Sequence, residues 1–237
     1  MYGWRGRVGL MLPFDNTVIE PEFSRTLAPG VSGHVVRTTK TDRIELSEES
    51  LLLAPVMKHL RVNMALYCCN ASTFLQGKTW HDDFLKRFTD VAGVPTESAN
   101  SSMVKLMEHR KMKRIAVVSP YPEWLKEPLR NFLTDSGFEV VNIIALGLEP
   151  PDINMLGPEH SYRYAKQTNV ADADGVLIIA TNFRTLEVLG HLEDELQKPV
   201  VSSNQALVWM AHKMLGIPQG ETEWRDRKYS WPVIASN

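Results

Sequence analysis

The sequence contains only two cysteines, and they are neighbours, Cys68 and Cys69. Adjacent residues of a strand point to opposite faces, so these two thiols are not expected to form a disulfide with each other. So few cysteines also argue against a fold that depends on disulfides. Reactivity or packing therefore explains the two thiols better than a structural bridge, and at most one of them can face a given site.

Other absences exclude whole classes of function. No apolar run approaches the roughly 20 residues that a membrane span needs, and the formal net charge of −2 gives no reason to expect nucleic acid or a membrane surface as partner. The first residues lack the apolar core of a signal peptide, so we expect a cytoplasmic protein. The sequence shows no zinc-type histidine pair, glycine-rich phosphate loop or Gly-x-Ser-x-Gly motif, so we expect neither a metal nor a cofactor.

What the sequence does contain is a regular alternation of strand and helix patterns. Apolar strands such as residues 62–67 and 113–119 alternate with amphipathic helices such as residues 81–92. Residues 47–60 are predicted to form a helix that is capped by Ser47 and kinked at Pro55. This alternation predicts an α/β fold with mainly parallel sheets.

The two halves of the chain repeat the same pattern. Residues 8–13 and 115–120 are both apolar strands that end in a proline. Cys69 follows the first of these prolines by 56 residues, and Ala180 follows the second by 60. In both places an apolar run ends abruptly in small polar residues. Cys69 and Ala180 are therefore predicted to occupy equivalent positions in two similar units.

We accordingly predict two pseudo-symmetric α/β lobes that face each other. Residues 1–112 with 206–237 form the first lobe, and residues 113–205 form the second. Ligands of such sheets bind at the carboxyl ends of the strands. The active site is therefore expected in the cleft between the lobes.

Three side chains are candidates for chemistry at that cleft. Cys69 precedes residues whose amides would begin a helix, and such amides bind carboxylates and lower the pKa of a thiol. Asn16 would donate its amide to a carboxylate, and Tyr121, between two prolines, would present a hydroxyl to an anion. Each has an ordinary alternative: a buried strand-end cysteine, a turn or helix cap, and loop packing. The segment Ser202–Asn204 is more typical of a helix cap.

Five segments in order carry a family resemblance: residues 8–22, 67–77, 113–121, 174–182 and 198–206. Two of them are the loops Tyr-Cys-Cys-Asn-Ala-Ser-Thr-Phe and Asp-Gly-Val-Leu-Ile-Ile-Ala-Thr-Asn. Together they resemble the aspartate/glutamate racemase superfamily, specifically its maleate cis-trans isomerase and arylmalonate decarboxylase branch. The resemblance runs nearly from end to end.

The resemblance implies cofactor-independent chemistry on a small carboxylate. In such isomerases the first-loop cysteine, here Cys69, adds to the double bond, the carbon–carbon bond rotates, and elimination gives the trans acid. The second-loop cysteine, here replaced by Ala180, supplies or removes a proton. Loop amides and hydroxyls stabilise the enediolate. The implied substrate-binding residues are Asn16, Asn70, Ala71, Tyr121, Thr181 and Asn182.

The sequence departs from this family at Ala180, and Asn70-Ala71 stands where Thr-Ser is frequent. Either the second cysteine has been replaced deliberately to stall turnover, which the otherwise well-matched loop favours, or the chain is a natural one-cysteine enzyme. A one-cysteine decarboxylase, an amino-acid racemase-like enzyme and a non-catalytic small-carboxylate binding protein remain alternatives. A small carboxylate is the expected partner, and a homo-oligomer is compatible with the sequence.

Overall fold

The computed structural model describes residues 2–218, so the predicted first-lobe segment 206–237 lies partly outside the described residues. Eight strands form two sheets: β1 (Gly6–Leu12), β2 (Val31–Arg37), β3 (Met64–Tyr67), β4 (Thr96–Ser98), β5 (Arg114–Ser119), β6 (Glu139–Ala145), β7 (Gly175–Ile178) and β8 (Val200–Ser202). The strand orders are β2-β1-β3-β4 and β6-β5-β7-β8, and all pairs are parallel. The predicted α/β architecture with two parallel, pseudo-symmetric sheets is confirmed.

Helices connect and cover these strands. They are α1 (Ile19–Thr26), α2 (Arg43–Leu53), α3 (Pro55–His59), α4 (Ala71–Phe74), α5 (Lys78–Ala92), α6 (Ala99–His109), α7 (Lys126–Asp135), α8 (Pro158–Thr168), α9 (Leu189–Leu196) and α10 (Ser203–Met214). Two short 3-10 helices lie at Glu123–Leu125 and Asp152–Met155. Among residues 2–218 no helix has both the length and the apolar character that crossing a bilayer requires.

Helix α2 corrects one detail of the sequence prediction. Its N-cap is Asp42, whose carboxylate accepts hydrogen bonds from the amides of Ile44 and Glu45. Ser47 was expected at that position but is buried one turn further on. The break at Pro55 is confirmed, because the proline begins the separate helix α3, where its missing N–H is not needed.

Helices α6 and α10 join the two halves. Met103, Leu106 and Met107 of α6 are buried in the hydrophobic core of the second sheet. Leu207 and Val208 of α10 are buried in the core of the first sheet. Burial of each such side chain stabilises the fold by about 1.5–3 kcal/mol, so this exchange of helices fixes one half to the other. The division into residues 1–112 with 206–237 and residues 113–205 stays a prediction.

Candidate active site

A cavity of about 150 Å³ opens at the carboxyl ends of the strands, where turns from both sheets meet. Six of the eight predicted site residues line it: Asn16, Cys69, Ala71, Tyr121, Thr181 and Asn182. They follow strands β1, β3, β5 and β7, which are the two central strands of each sheet. The pseudo-symmetric fold therefore brings together the residues that the sequence placed at equivalent strand ends.

The residues after β3 (68–71, the first turn) and after β7 (179–182, the second turn) are joined directly. Asn16 donates from Nδ2 to Thr181 Oγ1 at 2.9 Å, and Thr181 Oγ1 donates to the carbonyl oxygen of Cys68 at 2.9 Å. Asn16 also caps α1, since its Oδ1 accepts from the amides of Val18 and Ile19 at 3.0 and 3.1 Å. Asn16 therefore serves both as a helix cap and as a residue of the cavity wall.

Asn70 and Ala180 are buried next to the cavity but are not among the residues that line it. The Asn70 side chain donates from Nδ2 to Asn100 Oδ1 at 2.7 Å, which points its amide into the protein. A contact between Asn70 and the substrate stays a prediction, and this orientation of the side chain leaves its backbone amide as the group to make it. Ala180 has a φ of 95°, which is rare for a residue with a Cβ. Such backbone strain persists where the surroundings enforce it, as they often do at functional sites.

Cys68 and Cys69 belong to opposite faces of the first sheet, as expected. Cys68 is fully buried in the core that contains β1 and α10, and Cys69 faces the cavity with 8% of its surface exposed. Both thiols are free. Only the sulfur of Cys69 can reach a ligand in the cavity.

The pKa of the Cys69 thiol is raised, whereas amides at the start of a helix are expected to lower it. Burial raises the pKa of this thiol and outweighs the hydrogen bonds of the Ser72 hydroxyl and amide, which lower it. The charge of Arg43 lowers the pKa further, and that of Asp15 raises it. The expected hydrogen bond from a nearby amide is present and lowers the pKa, but burial of the sulfur has the larger effect in the opposite direction.

Tyr121 is buried in the cavity wall, with its ring centroid 5.9 Å from that of Phe74. Burial, followed by the nearby Cys69, raises the pKa of the Tyr121 phenol well above its ordinary value. The hydroxyl therefore keeps its proton at physiological pH. It is available as a hydrogen-bond donor to an anion.

Charged residues at the cavity mouth were not identified from the sequence. Lys40 and Arg43 follow β2, and Asp15 and Glu149 complete the rim. Arg43 forms an ion pair with Glu149 and lies over the ring of Trp124, 5.3 Å from its centroid. The charged run Thr-Lys-Thr-Asp-Arg directly after a strand was the available signal, since it falls at the same carboxyl edge as the cysteine turns.

A second missed feature is a repeated Ser-x-Asn after the last strand of each sheet. Ser98 and Ser202 cap α6 and α10, which confirms the capping expected of the Ser202 segment. Two residues further on, Asn100 donates to the carbonyl oxygen of Asn70 at 3.0 Å, and Asn204 donates to that of Thr181 at 3.1 Å. Each asparagine thereby holds the residue that follows a cysteine position.

In the part of the chain that the structure describes, no group of three His, Cys, Asp or Glu side chains is arranged to hold a metal ion. The cavity is lined instead by hydroxyl and amide side chains, one thiol, two basic and two acidic residues, and several apolar side chains. This arrangement is suited to holding a small anion beside the thiol of Cys69.

Comparison with known proteins identifies the family. The profile of the arylmalonate decarboxylase family matches residues 56–223. The maleate isomerase of Geobacillus stearothermophilus is 24% identical over 233 residues, which cover 89% of this chain and 92% of that protein. The predicted maleate isomerase and arylmalonate decarboxylase branch is thereby confirmed.

Solved structures show the same fold. The maleate isomerase Iso from Pseudomonas putida S16 superposes with a TM-score of 0.86 at 22% identity, covering 94% of this chain and 99% of that one. A cysteine-to-serine mutant of the Nocardia farcinica maleate cis-trans isomerase, with a covalently bound succinylcysteine intermediate, gives a TM-score of 0.84 at 19% identity and covers 90% and 94%. With the family profile matching most of its length, this chain belongs to the arylmalonate decarboxylase family.

Proposed function

We propose that this protein is a cofactor-independent isomerase of a small dicarboxylate, with maleate as the first candidate, and that Cys69 is its nucleophile. The observation that carries the proposal is the position of Cys69, whose thiol lines a small cavity closed by turns from both sheets. The similarity to maleate isomerases over most of the chain supports the same reaction class.

In the proposed reaction the Cys69 thiol first loses its proton to water at the cavity, and the resulting thiolate attacks one carbon of the double bond. A sulfur–carbon bond forms as the π bond breaks, and the electron pair moves onto the neighbouring carbon and its carboxylate as an enediolate. The remaining carbon–carbon single bond rotates, and the reverse electron flow expels the thiolate and leaves the trans acid. Preorganised donors stabilise the enediolate more than the ground state, which lowers the barrier.

The lining residues supply those donors. The Tyr121 hydroxyl is protonated, and the Asn16 amide has a second hydrogen beyond the one it gives to Thr181. Lys40 and Arg43 offer positive charge at the mouth to a second carboxylate. The cavity is well below the roughly 300–1,000 Å³ of a site for a drug-sized ligand, so a compact diacid is the substrate class proposed.

The proposal is tested by incubating the protein with a panel of small acids in deuterated water and following them by NMR. Conversion of maleate to fumarate supports it. Loss of carbon dioxide from an arylmalonate would instead identify a decarboxylase, and solvent exchange at the α-carbon of an amino acid would identify a racemase. Tight binding of an acid without any turnover would favour a binding protein.

Substitutions in the cavity wall are expected to weaken binding. Asn16→Ala and Tyr121→Phe each remove a donor to a charged group, which is worth roughly 1.5–3 kcal/mol, or about ten- to hundred-fold in dissociation constant. Isothermal titration calorimetry with maleate measures the effect. Asn142→Ala and Tyr162→Phe are matched controls, because their side chains lie away from the cavity.

Asn16→Ala also removes the cap of α1, which costs about 0.5–2 kcal/mol of stability. Thermal melts therefore accompany the titrations, so that the affinities of folded variant and folded wild type are compared. Unchanged affinity in both cavity variants would remove these two residues from the site.

A further inference from the structure

We propose that Glu22 is a positioning residue: with Asn204 it holds the second turn in the shape that completes the cavity, and a proton on Glu22 releases that turn. Glu22 does not line the cavity. Its role would be to act on the cavity wall through two other side chains.

The carboxylate of Glu22 is surrounded by hydrogen-bond donors from the second half of the chain. Its side chain, on α1, is 1% exposed. Oε1 accepts from the amides of Thr185 and Leu186 at 2.9 and 3.2 Å, and Oε2 accepts from Asn204 Nδ2 at 2.6 Å. Three donors on one carboxyl group match its ionised form, which only accepts.

Two hydrogen bonds connect Glu22 to the cavity wall. Asn204 Nδ2 shares its hydrogens between Glu22 and the carbonyl oxygen of Thr181, at 3.1 Å from the latter. Thr181 lines the cavity and bonds to Asn16 and to the carbonyl of Cys68. A change at Glu22 therefore reaches the second turn without passing through solvent.

The first turn is held by an equivalent but neutral arrangement. Asn100 donates to the carbonyl oxygen of Asn70 at 3.0 Å and to the hydroxyl of Thr73 at 2.6 Å. The Thr73 hydroxyl therefore accepts from Asn100 as the Glu22 carboxylate accepts from Asn204. Only the second arrangement contains a carboxyl group, so protonation of a carboxyl group can release only the second turn.

Protonated Glu22 would have a hydrogen to donate, and the three groups around it are themselves donors. Asn204 Oδ1 is buried and has no hydrogen-bond partner among the described residues. Turning the Asn204 amide over would present this oxygen to the Glu22 proton. The same rotation would withdraw Nδ2 from the Thr181 carbonyl and free the second turn.

The surroundings place this protonation near neutral pH. Burial raises the pKa of Glu22 to about 7, and the hydrogen bonds from Asn204 and Thr185 oppose the shift. Glu187 lies close enough to raise the pKa further, and it is itself paired with Arg184 at 2.7 Å and Arg25 at 3.4 Å. From α10, which packs against α1, the His212 ring accepts from the amide of Ala28, two residues beyond the end of α1.

The raised pKa of Glu22 sets the direction in which this residue changes stability with pH. Between about pH 4.5 and pH 7 the folded protein keeps a proton on Glu22 that the unfolded chain has lost, so this group lowers stability as pH rises through that window. Glu22→Gln removes this loss of stability at high pH, because glutamine does not ionise. We therefore expect the variant to be no less stable than the wild type at pH 8, even though it loosens the second turn.

Hydrogen–deuterium exchange tests the proposal without any substrate. After correction for intrinsic rates, the wild-type amides of Thr185 and Leu186 should exchange roughly ten-fold faster at pH 6 than at pH 8, since they lose a charged acceptor. Glu22→Gln should exchange fast at both pH values. Glu187→Gln removes a neighbouring charge that raises the pKa of Glu22 but does not contact Asn204. This variant should therefore keep a pH-dependent exchange, with its midpoint moved to lower pH.

A second arm measures maleate affinity at pH 6 and pH 8 and rests on the proposed function. The wild type should bind maleate about ten-fold more tightly at pH 8 than at pH 6. Asn204→Ala should bind maleate weakly at both pH values, while the amide of Thr185 stays protected from exchange.

Failure of the wild type to bind maleate, with the exchange results as expected, would overturn the proposed function and leave the role of Glu22 standing. Equal protection of Thr185 and Leu186 at both pH values in the wild type, or the same change in Glu22→Gln and Glu187→Gln, would overturn the role of Glu22. If Glu22→Gln does not fold, the wild-type exchange and the Asn204→Ala titration decide the question.

Discussion

Replacing Ala180 with cysteine is expected to raise turnover of the correct small carboxylate by about 10²–10⁴-fold, the usual contribution of one general acid or base. Ala180 lies two residues beyond β7, as Cys69 lies two residues beyond β3. The pseudo-symmetry of the two sheets predicts that a thiol at position 180 reaches the carbon skeleton from the side opposite Cys69, where alanine offers no proton donor or acceptor. NMR of the acid in deuterated water measures both the change of geometry and the exchange of protons.

The substitution adds one sulfur beyond a Cβ that is already present, so the φ of 95° imposes no new backbone strain on cysteine. Ala180→Ser is the matched control, because a hydroxyl of similar size is a far weaker acid and should give little gain. Ala171→Cys, at an exposed alanine, tests whether any additional thiol has the effect. No gain in Ala180→Cys on any acid, with turnover by the unaltered chain through Cys69, would identify a natural one-cysteine enzyme.

The parts of this protein that follow from local pattern were predictable. Alternating apolar strands and amphipathic helices, with a proline after β1 and another after β5, give the two parallel sheets. The carboxyl edge of those sheets then brings Asn16, Cys69 and Tyr121 to one cavity. These inferences need only the period of each element and the rule that parallel strands end at a common edge.

Other features depend on contacts that no local pattern records. Glu22 and Asn204 are 182 positions apart and meet only because α10 packs on the first sheet. The inward orientation of Asn70 depends on Asn100, which approaches from another helix. The raised pKa of Cys69 likewise reflects desolvation by the whole wall, whereas the sequence showed only the amides that follow it.

The charged residues at the cavity mouth are another feature that the sequence alone does not predict. Arg43 was visible as one residue of a polar run, but its ion pair with Glu149 and its contact with Trp124 bring it across the cavity to the second half. The charge of Arg43 lowers the pKa of Cys69, so Arg43 acts on the proposed nucleophile as well as on the cavity mouth. Which charged residues meet at the cavity mouth is known only once the two halves are placed face to face.

Removing the proposed nucleophile, Cys69, is expected to abolish turnover at the cavity. In the Ala180→Cys background, Cys69→Ser should lose the whole gain of about 10²–10⁴-fold, because serine is a much weaker nucleophile and no second thiol lies on that face. Cys68→Ser should have a small effect, since Cys68 is buried in the core on the opposite face of the sheet. Initial rates on the acid that Ala180→Cys converts provide the comparison.

Alkylation tests the same thiol in the unaltered chain, whichever acid proves to be the substrate. Iodoacetamide should modify Cys69 in the native protein, a bound dicarboxylate should protect it, and intact-mass spectrometry should show no modification of native Cys69→Ser. Because burial raises the pKa of Cys69, its thiolate fraction, and with it the alkylation rate, should still be rising above the ordinary thiol pKa of about 8.5. Equal labelling of Cys68 and Cys69, or labelling of Cys69 that a bound acid does not slow, would remove Cys69 from the site and favour a binding protein.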